Sequence, residues 1–116
     1  MSNAANIALT ALSAFDKKND VIANNIANVN TDGFKKSRVN MAETIPSGVK
    51  ASTERVNTPG DIVTIEGTKQ AERETSNVTI EEEIIAQSVN TVNYEANLKT
   101  VQTAEEIQGT LFDLFG

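Results

Sequence analysis

Apolar residues recur at helical spacing near both ends of the chain. In the first segment, steps of four and three residues alternate from Ala8 to Val29, which predicts an amphipathic helix with one apolar stripe. Asn19 interrupts this stripe. Residues 30–33, Asn-Thr-Asp-Gly, are a dense turn signal, so we expect the helix to occupy residues 5–30. The stripe consists of Ala8, Leu12, Phe15, Asn19, Ile22, Ile26 and Val29.

The last segment repeats this spacing over a longer stretch. Thr79 and Glu82 have the arrangement of a capping box, and the acidic residues 81–83 suit the positive end of a helix dipole. We therefore expect a second helix over residues 79–115. Its stripe consists of Ile80, Ile84, Gln87, Thr91, Tyr94, Leu98, Val101, Glu105, Gln108, Phe112 and Phe115. Further apolar residues lie on neighbouring faces: Ile85, Val89, Val92, Ile107, Leu111 and Leu114. A helix that is apolar on more than one face usually has more than one partner.

The stretch between these segments, residues 41–76, has a different pattern. A Pro-Gly pair at residues 59–60 fits the centre of a type II turn. It separates Val49–Val56 from Ile62–Ile65, and β-branched residues occur in both stretches. We expect these two stretches to pair as a small β-hairpin.

The order of these elements predicts one mainly α domain over residues 1–116. In this fold class, long N- and C-terminal helices pair as an antiparallel coiled-coil-like hairpin with a small β-hairpin inserted between them. Charge supports the pairing, because residues 1–40 have a net charge of +2 and residues 77–116 one of −6. The helix seam is expected to contain Leu12, Phe15, Ile22 and Ile26 on one side and Ile84, Leu98 and Val101 on the other.

Composition limits the chemistry that is open to this chain. With 116 residues and 4% aromatics it can bury only a small core. The absence of Cys and His removes thiol nucleophiles, Ser-His-Asp triads and the usual zinc sites. A net charge of −6 argues against a general nucleic-acid binder, and no apolar run approaches the roughly 18–20 residues that span a bilayer. We therefore expect no enzyme activity, no cofactor or metal, no nucleic-acid partner and no membrane insertion.

Two charged clusters and one further carboxylate are candidate sites, and each has a simpler interpretation. The carboxylates of residues 81–83 diverge by about 100° each along a helix, so they suit an acidic first turn better than a metal site. Glu95 has no second catalytic group at helical spacing. The basic residues 35–38 follow Asp32 and Gly33, but their spacing is not that of a phosphate-binding loop. A solvated turn and strand explain them.

Asparagine is concentrated in residues 23–34, which read Ala-Asn-Asn-Ile-Ala-Asn-Val-Asn-Thr-Asp-Gly-Phe. Asparagine is a mediocre helix former, because its amide competes for backbone hydrogen bonds. Placing several of them in and after a helix weakens its end but supplies donors and acceptors. Two interpretations are equally open: an elaborate helix C-cap, and a polar recognition surface.

This stretch, with Lys35 after it, resembles the N-terminal signature of the bacterial flagellar axial proteins, which are the rod, hook and hook-associated proteins. The run Tyr94 to Asn97, continuing through residues 102–111, is similar to their C-terminal signature. The two matches occupy about residues 8–40 and 77–116. The motif positions expected to serve assembly are Asn24, Asn25, Ile26, Asn28, Asn30, Thr31, Gly33, Phe34, Tyr94, Glu95, Ala96 and Asn97.

The resemblance implies a structural role without enzymatic activity. In this family the terminal helices pair as a coiled coil that lines the inner wall of a hollow tube, and the middle of the chain forms outer domains. The resemblance also implies self-association, other rod and hook-basal body subunits as partners, and a place in the periplasm-spanning rod. Export would proceed through the flagellar type III apparatus without a cleaved signal peptide. Because only residues 41–76 are available for a middle domain, the chain is most similar to a small proximal-rod type.

Two function classes follow from these observations. The first is a structural subunit of the basal-body rod that assembles through its terminal helices into the axial tube for motility. The second is an accessory coiled-coil adaptor that binds rod or hook subunits without polymerising. Self-assembly discriminates them, because a rod subunit forms open head-to-tail contacts and an adaptor stays discrete.

Overall fold

Two long helices flank a region of short strands in the computed structural model, which describes residues 3–64 and 72–115. The elements in chain order are α1 (Asn3–Ala27), β1 (Ser37–Glu43), β2 (Val49–Arg55), β3 (Ile62–Thr64), β4 (Glu72–Glu74) and α2 (Ile80–Phe115). The molecule is elongated and measures 81 × 25 × 14 Å, and α2 contributes about 54 Å of this length at 1.5 Å per residue.

The two helices pack side by side in opposite directions. Asn25 near the end of α1 contacts Glu83 near the start of α2, and Phe15 in the middle of α1 contacts Asn90. Ala8 and Leu12 pack with Val101 to form the buried apolar cluster. This arrangement, with its small β region between the helices, confirms the predicted fold class.

The side of α2 that faces α1 differs from the predicted stripe. Val101 is buried, as are Leu12 and Ile22 of α1, but Phe15 and Ile26 are only partly covered. Ile84 is 52% exposed and Leu98 is 40% exposed, so the prediction that they lie within the buried seam is wrong. The residues of α2 that face α1 and are buried or half-buried are Glu83, Ala86, Asn90, Asn93, Asn97, Val101 and Ala104.

The reason for this shift is that the predicted stripe was chosen by apolarity alone. The observed stripe keeps a spacing of three and four residues but includes polar residues. Two of them have partners on α1, since Asn90 donates to the carbonyl oxygen of Phe15 and Glu83 accepts from Asn25. Alanine side chains make up much of the buried part of α1. The buried residues of α1 are Ala5, Ala8, Ala11, Leu12, Ala14, Ile22 and Asn25.

The strand pairing also differs from the prediction. Val49–Arg55 pairs with β1, from Ser37 opposite Arg55 to Glu43 opposite Val49, and not with the stretch that begins at Ile62. The loop between β1 and β2 is closed by a 3.0 Å bond from the backbone N of Thr44 to the carbonyl oxygen of Gly48. The prediction failed because Pro46-Ser47-Gly48, before Val49, forms the hairpin loop, whereas the Pro-Gly pair after this strand does not.

The second pair of strands is short. Ile62–Thr64 runs antiparallel to Glu72–Glu74, and the predicted partner residue Ile65 lies outside the described residues. The longer β1–β2 hairpin packs along α1, where the backbone N of Val49 donates to Thr10 Oγ1 at 3.0 Å. The hairpin therefore covers part of α1 that α2 leaves open.

Candidate assembly surface

The asparagine-rich signature surrounds the junction of α1, β1 and α2. Asn25 is the most deeply buried large side chain there, at 2% exposure. Its Nδ2 donates to the carbonyl oxygen of Ser37 at 2.8 Å, and its Oδ1 accepts from the backbone N of Ser37 at 3.0 Å. Nδ2 also donates to Glu83 Oε2 at 3.3 Å. The side chain of Asn25, which belongs to α1, thus hydrogen-bonds with β1 as a neighbouring strand would. It also links β1 to α2.

The other signature residues form the turn that ends α1. Asn28 Nδ2 donates to the carbonyl oxygen of Asn24 at 2.9 Å, and Thr31 Oγ1 donates to Asn28 Oδ1 at 3.1 Å. Gly33 has a φ of +73°, a conformation that favours glycine, and its N donates to the carbonyl oxygen of Glu74. Phe34 is half-buried, as is Ile26, while Asn24 and Asn30 are exposed. Much of the motif therefore serves as an elaborate helix cap.

Asn77, three residues before α2, hydrogen-bonds with the strand region, and the sequence interpretation missed this role. Asn77 Nδ2 donates to the carbonyl oxygens of Val56 at 2.9 Å and Thr58 at 3.0 Å, and its Oδ1 accepts from the backbone N of Lys36 at 2.7 Å. It thereby extends the β1–β2 ladder, where the N of Val56 donates to the carbonyl oxygen of Lys36. Local spacing gives no signal for such a role, because the partners lie 19–41 residues away.

The basic cluster at residues 35–38 forms ion pairs within the chain. Lys35 pairs with Glu74, Lys36 Nζ lies 3.6 Å from Glu82 Oε2, and Arg38 Nε donates to a carboxylate oxygen of Glu54 at 3.1 Å. A phosphate-binding interpretation is therefore unnecessary.

Glu74 has a second partner beyond this ion pair. Its Oε1 accepts from the backbone N of Gly60 at 2.9 Å. The hydrogen bond from Lys35, with that from Gly60, holds the pKa of Glu74 below its usual value. Gly60 is required there because a Cβ would lie 1.9 Å from the carbonyl oxygen of Thr75. This contact fixes the connection between β2 and β3.

The C-terminal motif lies elsewhere, in the middle of α2. Tyr94, Glu95 and Ala96 are exposed, whereas Asn97 is half-buried and its Nδ2 donates to the carbonyl oxygen of Asn93 at 2.9 Å. Tyr94 and Glu95 border a groove between the helices. The structure therefore does not bring the two motifs into one site.

Apolar side chains of α2 also remain exposed outside the buried seam with α1. Three of them form an outer stripe in which each side chain is more than half exposed: Ile85, Val89 and Val92. Ile107 is more than half exposed as well but lies beside Ala4 of α1. Ala4, near the start of α1, lies beside residues 99–107 of α2. Past this point α1 no longer covers the side of α2 that faces it. There Leu111, Phe112 and Phe115 are 49%, 69% and 87% exposed. We call residues 108–115 the overhang of α2.

The described residues contain neither a cluster suited to a metal ion nor a helix suited to a membrane. Within residues 3–64 and 72–115, no group of acidic side chains is arranged to hold a metal ion. Neither described helix is long and apolar enough to cross a membrane.

Comparison with known protein families finds matches for the N-terminal and the C-terminal parts of the chain. Residues 4–35 match the model of the flagella basal body rod protein family. Residues 69–114 match the model described as flagellar basal body rod FlgEFG protein, C-terminal. The chain belongs to the flagellar rod and hook-basal body protein family. The resemblance inferred from the two motifs is thereby confirmed.

A relative shows how much of a longer family member this chain represents. The flagellar basal-body rod protein FlgG of Bacillus subtilis (strain 168) is 51% identical over 47 residues, which are 37% of this chain and 18% of that protein. The chain thus spans less than a fifth of the length of this relative. The matched family segments contain both terminal helices and leave out most of the strand region.

Proposed function

We propose that this chain is a structural subunit of the bacterial flagellar basal-body rod and assembles through its terminal helices into the axial tube. One observation carries this proposal: α2 has an apolar outer stripe and an apolar overhang that the described part of the chain does not cover. Contiguous exposed apolar surface marks an interaction site in a small protein. Membership of the rod family identifies the expected partners as other rod and hook-basal body subunits.

The position of the two apolar surfaces favours an open assembly. The outer stripe lies on the side of the α1–α2 pair, and the overhang lies at its end. A contact that joins an end to a different surface of the next subunit is heterologous and continues into a filament or tube. Lateral and axial contacts can therefore form together.

The cellular setting is part of the same proposal. A rod subunit would be located in the periplasm-spanning basal body and reach it through the flagellar type III export apparatus without a cleaved signal peptide. Its role would be mechanical, with motility as the outcome and no catalytic step.

Sedimentation velocity over a concentration series tests the proposal. The wild type is expected to form larger species as its concentration rises, and Leu111→Asp is expected to stay monomeric because it puts a charge on the overhang. Gln102→Asp is the matched control, since it adds the same charge at an exposed polar position of α2. In a cell, the Leu111→Asp strain should lose swimming and the Gln102→Asp strain should keep it.

The adaptor function makes the opposite forecast. A wild type that stays monomeric at every concentration and a Leu111→Asp strain that still swims would overturn the rod-subunit proposal. Binding of this monomer to purified rod or hook subunits would then identify an accessory adaptor.

A further inference from the structure

A groove between the middles of α1 and α2 contains a buried hydrogen-bond acceptor that has no donor. It encloses about 390 Å³ beside Asn90, whose side chain is 3% exposed. Asn90 Nδ2 donates to the carbonyl oxygen of Phe15 at 2.9 Å, but its Oδ1 has no partner among the described residues. A buried acceptor without a donor is rare in folded proteins and requires an explanation.

Two carboxylates line the same groove. Asp16 of α1 and Glu95 of α2 are both exposed, and neither forms an ion pair with another described residue. The buried carbonyl and these carboxylates supply three acceptor groups, and the side-chain amide of Asn19 lines the groove as well. Phe15 and Tyr94 add aromatic surface next to them.

We propose that this groove receives an arginine side chain from a neighbouring protein chain. A guanidinium group has several donors in one plane and no acceptor, it pairs with carboxylates, and it stacks on aromatic rings. Lysine has the charge but lacks the planar group that fits between aromatic side chains. The proposal concerns a polar contact in the seam and is separate from the apolar surfaces argued above.

The buried carbonyl is reached through a small side-chain movement. Tyr94 and Leu98 line the same groove and are 37% and 40% exposed, so neighbouring residues do not enclose their side chains fully. Side-chain rotation with little backbone change is common when protein interfaces form. Arginine binding would then give Asn90 Oδ1 the donor that the described residues do not supply.

Titration of the ¹⁵N-labelled full chain with N-acetyl-arginine amide tests this inference. The protein is kept at a concentration where sedimentation shows a single species, so the result does not depend on self-assembly. Saturable shifts are expected at the backbone amides of residues 90–98 and at the side-chain NH₂ of Asn90. N-acetyl-norleucine amide, which has a similar stem and no charge, should cause no saturable shift.

Charge-neutral variants sharpen the test. Asp16→Asn combined with Glu95→Gln should weaken arginine binding about fivefold, the sum of two partly exposed ion pairs. Glu105→Gln combined with Glu106→Gln removes the same charge from exposed positions outside the groove and should leave binding unchanged. Circular dichroism checks that both double variants keep the wild-type helix content.

Three outcomes would overturn the inference. They are the absence of saturable shifts in the wild type, equal binding of the norleucine probe, and equal weakening by the two double variants. None of them bears on the apolar assembly of α2, which the Leu111→Asp experiment tests separately.

Discussion

At the scale of single residues, this fold depends on amide side chains that stand in for backbone groups. Asn25 pairs with both backbone groups of Ser37, and Asn77 bridges Lys36 and Val56. Asparagine suits this because its side-chain amide carries a donor and an acceptor in the geometry of a peptide group. The N-terminal motif was identified from its residues, but the role of Asn25 in it was not, because its partners are distant in sequence. That role became visible only in the folded chain.

Asn25→Ala should destabilise the chain by about 2–4 kcal/mol, because it leaves buried partners on Ser37 and Glu83 without their hydrogen bonds. Urea unfolding followed by circular dichroism measures the change. Asn30→Ala, at an exposed position of the same motif, is the control and should change stability by less than about 0.5 kcal/mol. Equal effects of the two variants would mean that the Asn25 contacts contribute nothing.

Acid should weaken the attachment of the β3–β4 strands through Glu74. Its pKa is lowered in the folded state, so its contribution is present above the unfolded pKa and is lost as the pH falls through the folded one. The unfolding midpoint of the wild type should therefore decline below about pH 4.5, the ordinary value for this group. Glu74→Gln should show less of this decline than Glu72→Gln, a control at an exposed position of the same strand. Identical pH profiles would contradict the assignment.

At the scale of elements, periodicity located both helices but not the side of α2 that faces α1. Apolar spacing favoured Ile84 and Leu98. The structure instead turns Glu83 and Asn97 toward α1, and each of them lies one residue before the predicted position. Binary patterning cannot weigh hydrogen bonds across a seam. The prediction of strand pairing failed because Val49–Arg55 has a turn signal on each side, and apolar spacing does not choose between the two possible partners. The capping box located the start of α2, because the helix begins directly after Thr79. The hydroxyl of Thr79, however, makes no hydrogen bond with the described residues.

Two valines of α2 provide a matched test of the observed seam. Val101 is buried against Ala8 and Leu12, while Val92 is 64% exposed on the outer stripe. Val101→Ala should cost about 2 kcal/mol, including the cavity it leaves. Val92→Ala should change monomer stability by less than about 0.5 kcal/mol but weaken self-association. Thermal unfolding of both variants below the association range checks this, and a larger loss from Val92→Ala would mean that the seam is turned differently.

At the scale of the whole molecule, the lengths of the helices decide what is left uncovered. α1 has 25 residues and α2 has 36, so the pair ends in a single helix that exposes Leu111, Phe112, Leu114 and Phe115. The sequence showed that α2 was apolar on more than one face, and that feature supports assembly. It predicted a longer second helix but not which end would extend past α1, because that offset depends on the contact of Asn25 with Glu83 at the opposite end.

Hydrogen exchange should reveal this division along α2. Residues 83–101 pack on α1 and should be protected at every protein concentration. Residues 108–115 have no helix beside them in the described chain, and a single exposed turn or two of helix is marginal in water, so their amides should exchange rapidly in the monomer. On assembly the apolar overhang becomes covered and its amides should become protected, while the exchange of residues 83–101 stays the same. Mass spectrometry of peptides from both regions, in the dilute and the assembled state, measures the difference. Strong protection of residues 108–115 in the monomer would show that another part of the chain covers the overhang, and unchanged rapid exchange in the assembled state would show that subunits do not meet there.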